Sequence, residues 1–544
     1  MTITPPSLSV PPTLARLDEL DYDNRFTAEL PADAVDINRP RQVHNAAYSR
    51  VKPTPTAAPT LLAHSAEVAA MIGIDEATVA SADFVNVVSG NALVEGMDPH
   101  AACYGGHQSG NWAGQLGDGR AITLGEVVGA GGERHMLQLK GAGPTPCSRT
   151  ADGLAVLRSS VREFLCGEAM FHLGVPTTRA LSLSLTGDQV LRDMFYDGRS
   201  AHEPGAVVCR VAPSFIRFGS FEIFAAREEH DELRALLDHT ITNHFPHLGE
   251  PGPDTYVAML REVIERTAKM IVHWQRVGFV HGVMNTDNMS IHGLTIDYGP
   301  DGWLEDYDRD WTPNTTDAAG KRYRYGHQPA IAHWNVMRLA NALFPAVGEI
   351  EPLQEALDTF PTVFEAEWNA MIAAKLGLPG LSPVDDEAFT AQLFDVLQAT
   401  ETDMTVFYRG LADVAITAVA SPTDDELLAP ILDAYYLPDE LEGDVRDRVV
   451  AWLQAYEDRV RANGVSDQDR RASMNAINPK YVLRNYLAQL AIDAADAGDP
   501  SLISELLEVL RHPYDDQSDA GRFAEKRPDW ARSRPGCSML SCSS

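Results

Sequence analysis

The sequence predicts an α+β fold in two unequal parts, a β-rich N-terminal part followed by a larger helical part. Between about residues 84 and 210, short apolar runs alternate with Gly-rich turns, the pattern of strands and hairpins. Beyond about residue 213, apolar residues recur at helical spacing over long segments. With 544 residues, 44% apolar and 22% charged, the chain can bury a large core without disulfide or metal staples.

The elements follow in order. Residues 1–60 are Pro-rich and irregular, and Val51-Lys-Pro-Thr-Pro55 is expected to be extended, because proline fixes its own φ and disfavours helix before it. An N-terminal extension, residues 1–83, is expected to pack as an arm over the core. Within 84–212, Ala121–Val128 and His135–Lys140 flank the turn Gly129-Ala-Gly-Gly-Glu133 and predict a hairpin. Leu154–Leu173, with apolar residues at 154, 157, 161, 164 and 165, predicts a helix. Ala206–Ala212 reads as a buried strand ending at Pro213. Residues 213–385 are helical, with Tyr256–Val277 and Ile331–Leu343 the clearest segments. A helical C-terminal extension, 386–512, contains Arg446–Val460 and Tyr481–Ala494. A polar, Pro-containing tail, 513–544, is expected to be extended.

Composition narrows function. The net charge is −33, from 77 acidic and 44 basic residues, so the surface repels a nucleic-acid backbone. Of the cysteines at 103, 147, 166, 209, 537 and 542, none of the first four pair at metal-ligand spacing, and their sparse scatter suits a reducing compartment. Met1–Leu14 lacks the features of a signal peptide, and no apolar run approaches the roughly 18 residues of a membrane span. A soluble, cytoplasmic protein is expected.

Four motifs carry chemistry. Gly114-Gln-Leu-Gly-Asp-Gly-Arg120 precedes a predicted strand, where glycines let backbone N–H groups approach phosphate oxygens. Such turns are common, and this one is weak evidence by itself. Lys140 ends the second hairpin strand and begins Lys140-Gly-Ala-Gly143. In kinases, a strand lysine of this kind pairs with a helix glutamate to position phosphates. Glu163 is the candidate partner, and Glu168 on the same helix competes with it.

The most informative stretch is His281-Gly-Val-Met-Asn-Thr-Asp-Asn288, followed by Leu294-Thr-Ile-Asp-Tyr-Gly299. It reads as a degenerate kinase catalytic loop and metal-binding triplet. Asn288 and Asp297 supply hard oxygen ligands for Mg²⁺. Val283 stands where a kinase has its catalytic aspartate and cannot accept a proton. Asp287 is the only carboxylate in the loop and the candidate general base. The fourth motif, Arg210-Val-Ala-Pro-Ser-Phe-Ile-Arg217, falls where the two parts of the chain should hinge. Paired arginines there suit phosphate, because guanidinium forks bind its oxygens bidentately.

Over nearly its whole length the chain resembles the selenoprotein O family of kinase-like enzymes. The carrying motifs are Gly105-Gly-His-Gln108, Trp112-Ala-Gly-Gln-Leu-Gly-Asp-Gly-Arg120, Leu139-Lys-Gly-Ala-Gly143, Arg210-Val-Ala-Pro-Ser214, His281-Gly-Val-Met-Asn-Thr-Asp-Asn-Met289 and Ser541-Cys-Ser-Ser544. The resemblance implies a protein-kinase-like bilobal fold, with a β-rich N-lobe at 84–212 and a helical C-lobe from 213. It implies ATP bound in inverted orientation, with AMP transferred to Ser, Thr or Tyr hydroxyls of proteins and pyrophosphate released. By matching position, Gly117, Gly119, Arg120, Lys140, Asp152, Gly153, Arg210, Arg217 and Asp297 contact the nucleotide. Asp287 accepts the proton, and Asn288 and Asp297 hold Mg²⁺ or Mn²⁺. Animal members carry selenocysteine where this chain has Cys542, a thiol open to a regulatory disulfide with Cys537 or a core cysteine. The family's link to redox homeostasis suggests redox proteins among its substrates, and a monomer is expected. Two other functions fit the same motifs: a kinase transferring the γ-phosphoryl group, and an inactive pseudokinase scaffold.

Overall fold

The computed structural model describes residues 16–541. Its strands are β1 (Tyr48–Arg50), β2 (Thr60–His64), β3 (His100–Ala102), β4 (Gly105–Gln108), β5 (Asn111–Gln115), β6 (Ala121–Val128), β7 (Arg134–Lys140), β8 (Arg179–Arg192), β9 (Ala201–Ala212), β10 (Phe279–Val280) and β11 (Gly302–Trp303). Seven form one antiparallel sheet in the order β1-β3-β6-β7-β9-β8-β2. β4 with β5, and β10 with β11, form separate two-stranded ribbons.

The expected hairpin is β6–β7, in a register that sets Ala121 opposite Lys140. The expected strand at 206–212 is the second half of β9. The expected helix runs Leu157–His172 and starts later than its apolar pattern. Leu154 bridges back to Ala142, and its N–H binds the Asp152 carboxylate at 3.0 Å, so the first residues stay extended. Similarly, helix Asn485–Asp496 begins after Tyr481, whose N–H is held by the Pro513 carbonyl at 3.1 Å.

The leader is more regular than its prolines suggest. Phe26, in helix Arg25–Glu29, is buried in the main core, and its N–H donates to Glu126 on β6 at 2.9 Å. This core also takes in helix Leu157–His172, the long helix Pro253–Val277, helix Gln328–Val347, and helices Asn485–Asp496 and Ser501–Leu510. A second apolar cluster gathers mostly residues 371–474, around Trp452, Tyr456 and Phe407. The tail folds back in turns rather than running free. Arg162 donates to the Gly536 carbonyl, and the Leu540 N–H donates to Pro313 O at 2.8 Å. Cys542 lies outside the described residues. Among the described residues, no helix is long and apolar enough to cross a membrane.

Candidate active site

Strand alternation builds one wall of the site. Gln138 and Lys140 share a face of β7, and Arg210 on β9 lies opposite Gln138. Lys140 forms an ion pair with Glu163 in the middle of helix Leu157–His172, and its Nζ also donates to Tyr298 O at 3.2 Å. Arg210 donates to the same Glu163 carboxylate at 3.0 Å and to Gln138. Glu168 serves another purpose. It takes two bonds from Arg179, at 2.8 and 2.7 Å, and one from the Ala180 N–H, and so ties the start of β8 to the helix.

Asp297 is where the cations converge. Arg210 reaches its Oδ1 at 2.6 Å, Arg217 pairs with its Oδ2, and Lys140 stands 3.9 Å away. The two guanidinium groups hold this carboxyl well below the usual carboxylate range against the opposing effect of burial. Asp297 has φ of +56°, a left-handed conformation uncommon outside glycine, and this marks a constrained site. Arg210 is 2% exposed and Arg217 1%. Arg217 precedes helix Phe218–Ala226, bridges to Ser290, and donates to the Asp287 backbone carbonyl at 2.8 Å. Its guanidinium lies 4.4 Å from the Tyr104 ring centroid and 4.0 Å from Asp118.

The loop at 281–289 is held from several sides. His281 contacts Ile296 O through Nε2 at 2.8 Å. Gly282 has φ of +76°, and a β-carbon there would collide with the Pro300 carbonyl oxygen, so only glycine fits. Asn288 spends its amide nitrogen on Val283 O at 2.9 Å. Asp287 accepts from Gln108 at 3.2 Å through Oδ2, while its Oδ1 is buried without a hydrogen-bond partner. Burial pushes its pKa up to about 7. The β4–β5 ribbon covers this loop, with the His107 N–H on Thr286 Oγ1 at 2.7 Å.

The remaining expected residues occupy varied positions. Arg120 borders a small cleft with Lys140, Glu163, Tyr298 and Gly299. Gly117 and Gly119 back onto Cys147, whose Sγ would collide with a β-carbon at 117. Packing against Cys147 therefore demands glycine at 117, beside any approach to phosphate. Gly153 packs on the Gly143 backbone, and Asp152 forms a half-exposed ion pair with Arg192 at 2.7 Å. None of the bonds of Asp152 reaches the Asp297 cluster. Asp118, Gln108 and Tyr104, to which the motifs assign no role, also belong to this region. Asp118 lies between Gly117 and Gly119 and accepts from the Ala102 N–H at 3.0 Å.

The donor set fits a divalent cation beside a polyphosphate. It holds an orphaned buried carboxylate oxygen on Asp287, the carboxylate of Asp297, and the Asn288 amide oxygen, all hard donors. Lys140, Arg120, Arg210 and Arg217 supply positive charge around them.

Comparison with known proteins decides the family. A model of the family described as protein adenylyltransferase SelO matches residues 37–511. The chain belongs to this family. Among the relatives of this SelO-family chain is a protein nucleotidyltransferase YdiU of Rhodopirellula baltica, 62% identical over 97% of this chain and 99% of the relative. Proteins of the same name from Azoarcus sp. and Flavobacterium johnsoniae are 58% and 54% identical, over 96% and 97% of this chain. They match over 99% and 100% of their own lengths. The SelO-family chain is thus a transferase of the nucleotidyltransferase class, chemistry that uses a nucleotide and a divalent metal.

Proposed function

We propose that this enzyme transfers AMP from ATP to Ser, Thr or Tyr hydroxyls of proteins, with ATP bound in inverted orientation in a protein-kinase-like, two-lobed fold. The observation that carries it is the pair Arg210 and Arg217, both buried where chain 84–212 passes into 213–385, and both gripping Asp297. An adenine needs a neutral apolar slot. Two buried guanidinium groups beside Lys140 favour a triphosphate, which offers several oxygens to the same forks. Asp297, together with Glu163 on Arg210 and Lys140, compensates these cations in the structure, because buried charge without a partner is costly.

With the terminal phosphates deep among Arg210, Arg217 and Lys140, the α-phosphorus faces the 281–289 loop. Asp287 takes the proton of the incoming hydroxyl, whose oxygen forms a bond to the α-phosphorus. The bond from that phosphorus to the bridging oxygen breaks, and pyrophosphate leaves. Its position and the orphaned Oδ1 single out Asp287 for this role. Val283 offers no proton acceptor, which disfavours an ordinary kinase mechanism. Asn288 and Asp297 would hold Mg²⁺ or Mn²⁺, which neutralises phosphate charge when bound. Arg120, with backbone from Gly117, Gly119 and Gly153, and Asp152 at the rim, would complete the nucleotide contacts. The enzyme would act as a cytoplasmic monomer, without nucleic acid.

Incubation with α-labelled and γ-labelled ATP tests the proposal. Retention of α-label alone on protein, with a gain of one adenylyl unit by intact mass, is the expected result. Retention of γ-label would establish a kinase, and retention of neither, with ATP bound, a scaffold.

A further inference from the structure

Beside the site lies a cluster of cations that the proposed transfer does not use. The chain is strongly acidic, yet Lys321-Arg-Tyr-Arg324 is a basic run. Arg324 pairs with Asp310 at 2.8 Å. Arg322 and Arg338, among the described residues, have no carboxylate within the 4.0 Å of an ion pair, and each leaves a buried Nε without a hydrogen-bond partner. Both are instead stacked on one aromatic ring. Their guanidinium carbons lie 4.9 and 5.0 Å from the Trp334 ring centroid. An arginine held on an aromatic ring keeps its in-plane N–H edge free for a planar acceptor, and a carboxylate fits that edge bidentately.

The cluster is coupled to the site through the β4–β5 ribbon. Gln108 donates to Asp287 at 3.2 Å, and the Ser109 N–H donates to Tyr323 Oη at 3.0 Å. A β-carbon on Gly110 would lie 3.5 Å from the Arg322 guanidinium. Only Ser109, in the turn of the ribbon, thus separates Gln108, which touches Asp287, from Gly110, which lies against Arg322. His107 meets Trp334 edge-on at 5.5 Å, and beside it Trp112 is 39% exposed. A polypeptide presenting a hydroxyl to Asp287 would carry its neighbouring residues across this surface.

We propose that Arg322 and Arg338, set on Trp334, dock an acidic side chain flanking the target hydroxyl, so that the enzyme selects Ser, Thr or Tyr within acidic segments. This rests on protein transfer at Asp287, and it adds the substrate class. An acid on the partner would complete two arginines that the acidic chain itself leaves without carboxylates, and charge complementarity of this kind sets specificity and encounter rate.

The test uses the full-length protein and a fluorescein-labelled peptide with one serine among glutamates, beside its glutamine counterpart. Anisotropy should show the glutamate peptide binding about tenfold tighter at low salt, with the preference shrinking as salt rises. Arg322→Gln and Arg338→Gln should each remove most of that preference, Arg322→Lys should restore part, and the Kd for ATP should stay unchanged. Equal binding of the two peptides by the wild-type protein overturns the proposal. So does a preference that survives both substitutions, or an Arg322→Gln variant that loses ATP and peptide together, which would assign the cluster to the nucleotide. Transfer of α-label is read on the same preparations. Its absence with a standing peptide preference would overturn the reaction alone, whereas a missing preference with label transfer intact would overturn the docking alone.

Discussion

Gly106 sits so close to Asp287 that a β-carbon at 106 would lie 2.7 Å from the Asp287 Oδ1. That oxygen is the buried one without a hydrogen-bond partner. A methyl group there must push the carboxylate aside or lift β4 off the loop. Gly106→Ala should therefore lower kcat for label transfer by about 10²-fold, since a misplacement near 1 Å costs that much. ATP affinity, measured calorimetrically, should change far less. A Gly106→Ala enzyme with wild-type kcat would detach Asp287 from the chemistry.

Asp297 balances Arg210 and Arg217, so removing it leaves Arg210 to Glu163 alone and Arg217 with only the Asp118 carboxylate, 4.0 Å away. Breaking a buried pair from one side costs about 3–5 kcal/mol. Asp297→Ala should abolish transfer and lower the melting temperature. Added pyrophosphate should recover more of that temperature in the variant than in wild type, because it replaces the lost anion. Lys140→Ala removes the cation shared with Glu163 and should reduce transfer by about 10²-fold without the same anion rescue. If pyrophosphate stabilises Asp297→Ala no more than wild type, the arginines do not face the phosphate site.

Much of this site was legible because periodicity fixes direction. A lysine ending a strand and a glutamate inside the next helix can meet only if both face the cleft, and Lys140 with Glu163 does so. The choice of Glu163 over Glu168 was not legible, because Arg179 captures Glu168 and comes from β8, beyond the end of the helix. The order of polar residues at 281–297 pointed to one cluster, and Arg217 does join the Asp287 carbonyl to the Asp297 carboxylate. Asp118 was not legible, because it sits between two turn glycines and its carboxylate faces inward only once β3 and β6 pair. The β4–β5 ribbon has no alternating apolar pattern, since Gly105-Gly-His-Gln108 packs on the loop through glycine backbone and polar bonds. Nothing in its local sequence announces a strand.

Glu126 gives a stability prediction. It is 3% exposed, and burial raises its pKa from 4.5 to about 7, despite the Phe26 N–H it accepts. The folded protein therefore binds a proton there that the unfolded chain releases above about pH 4.5. Stability falls as pH rises between these values, and the full cost, on the order of 3 kcal/mol, applies above pH 7. Glu126→Gln keeps an oxygen for Phe26 and removes the charge. It should melt higher than wild type at pH 8, with the gap closing near pH 4.5. A gap of the same size at both pH values would mean that Glu126 does not titrate in this range.

Arg162 links the tail to the helix that carries Glu163. It neighbours Glu163, its guanidinium holds the Gly536 carbonyl, and it is 3% exposed. The same tail segment runs on to Leu540, whose carbonyl accepts from the Thr315 N–H at 2.7 Å. Residues 534–541 therefore strap the helix carrying Glu163 to the chain that follows Asp297. Asp301, close to Arg162 and Cys166, would be left among buried groups without this cation. Arg162→Ala should free the strap, making the tail more sensitive to limited proteolysis, and should lower kcat several-fold by loosening Glu163 from Lys140. Arg162→Lys keeps the charge and a donor to the carbonyl and should recover most of the rate. Proteolysis is the discriminating readout. A tail that stays protected in the alanine variant while kcat falls would place the effect of Arg162 in the helix itself, through Asp301, and not in the strap.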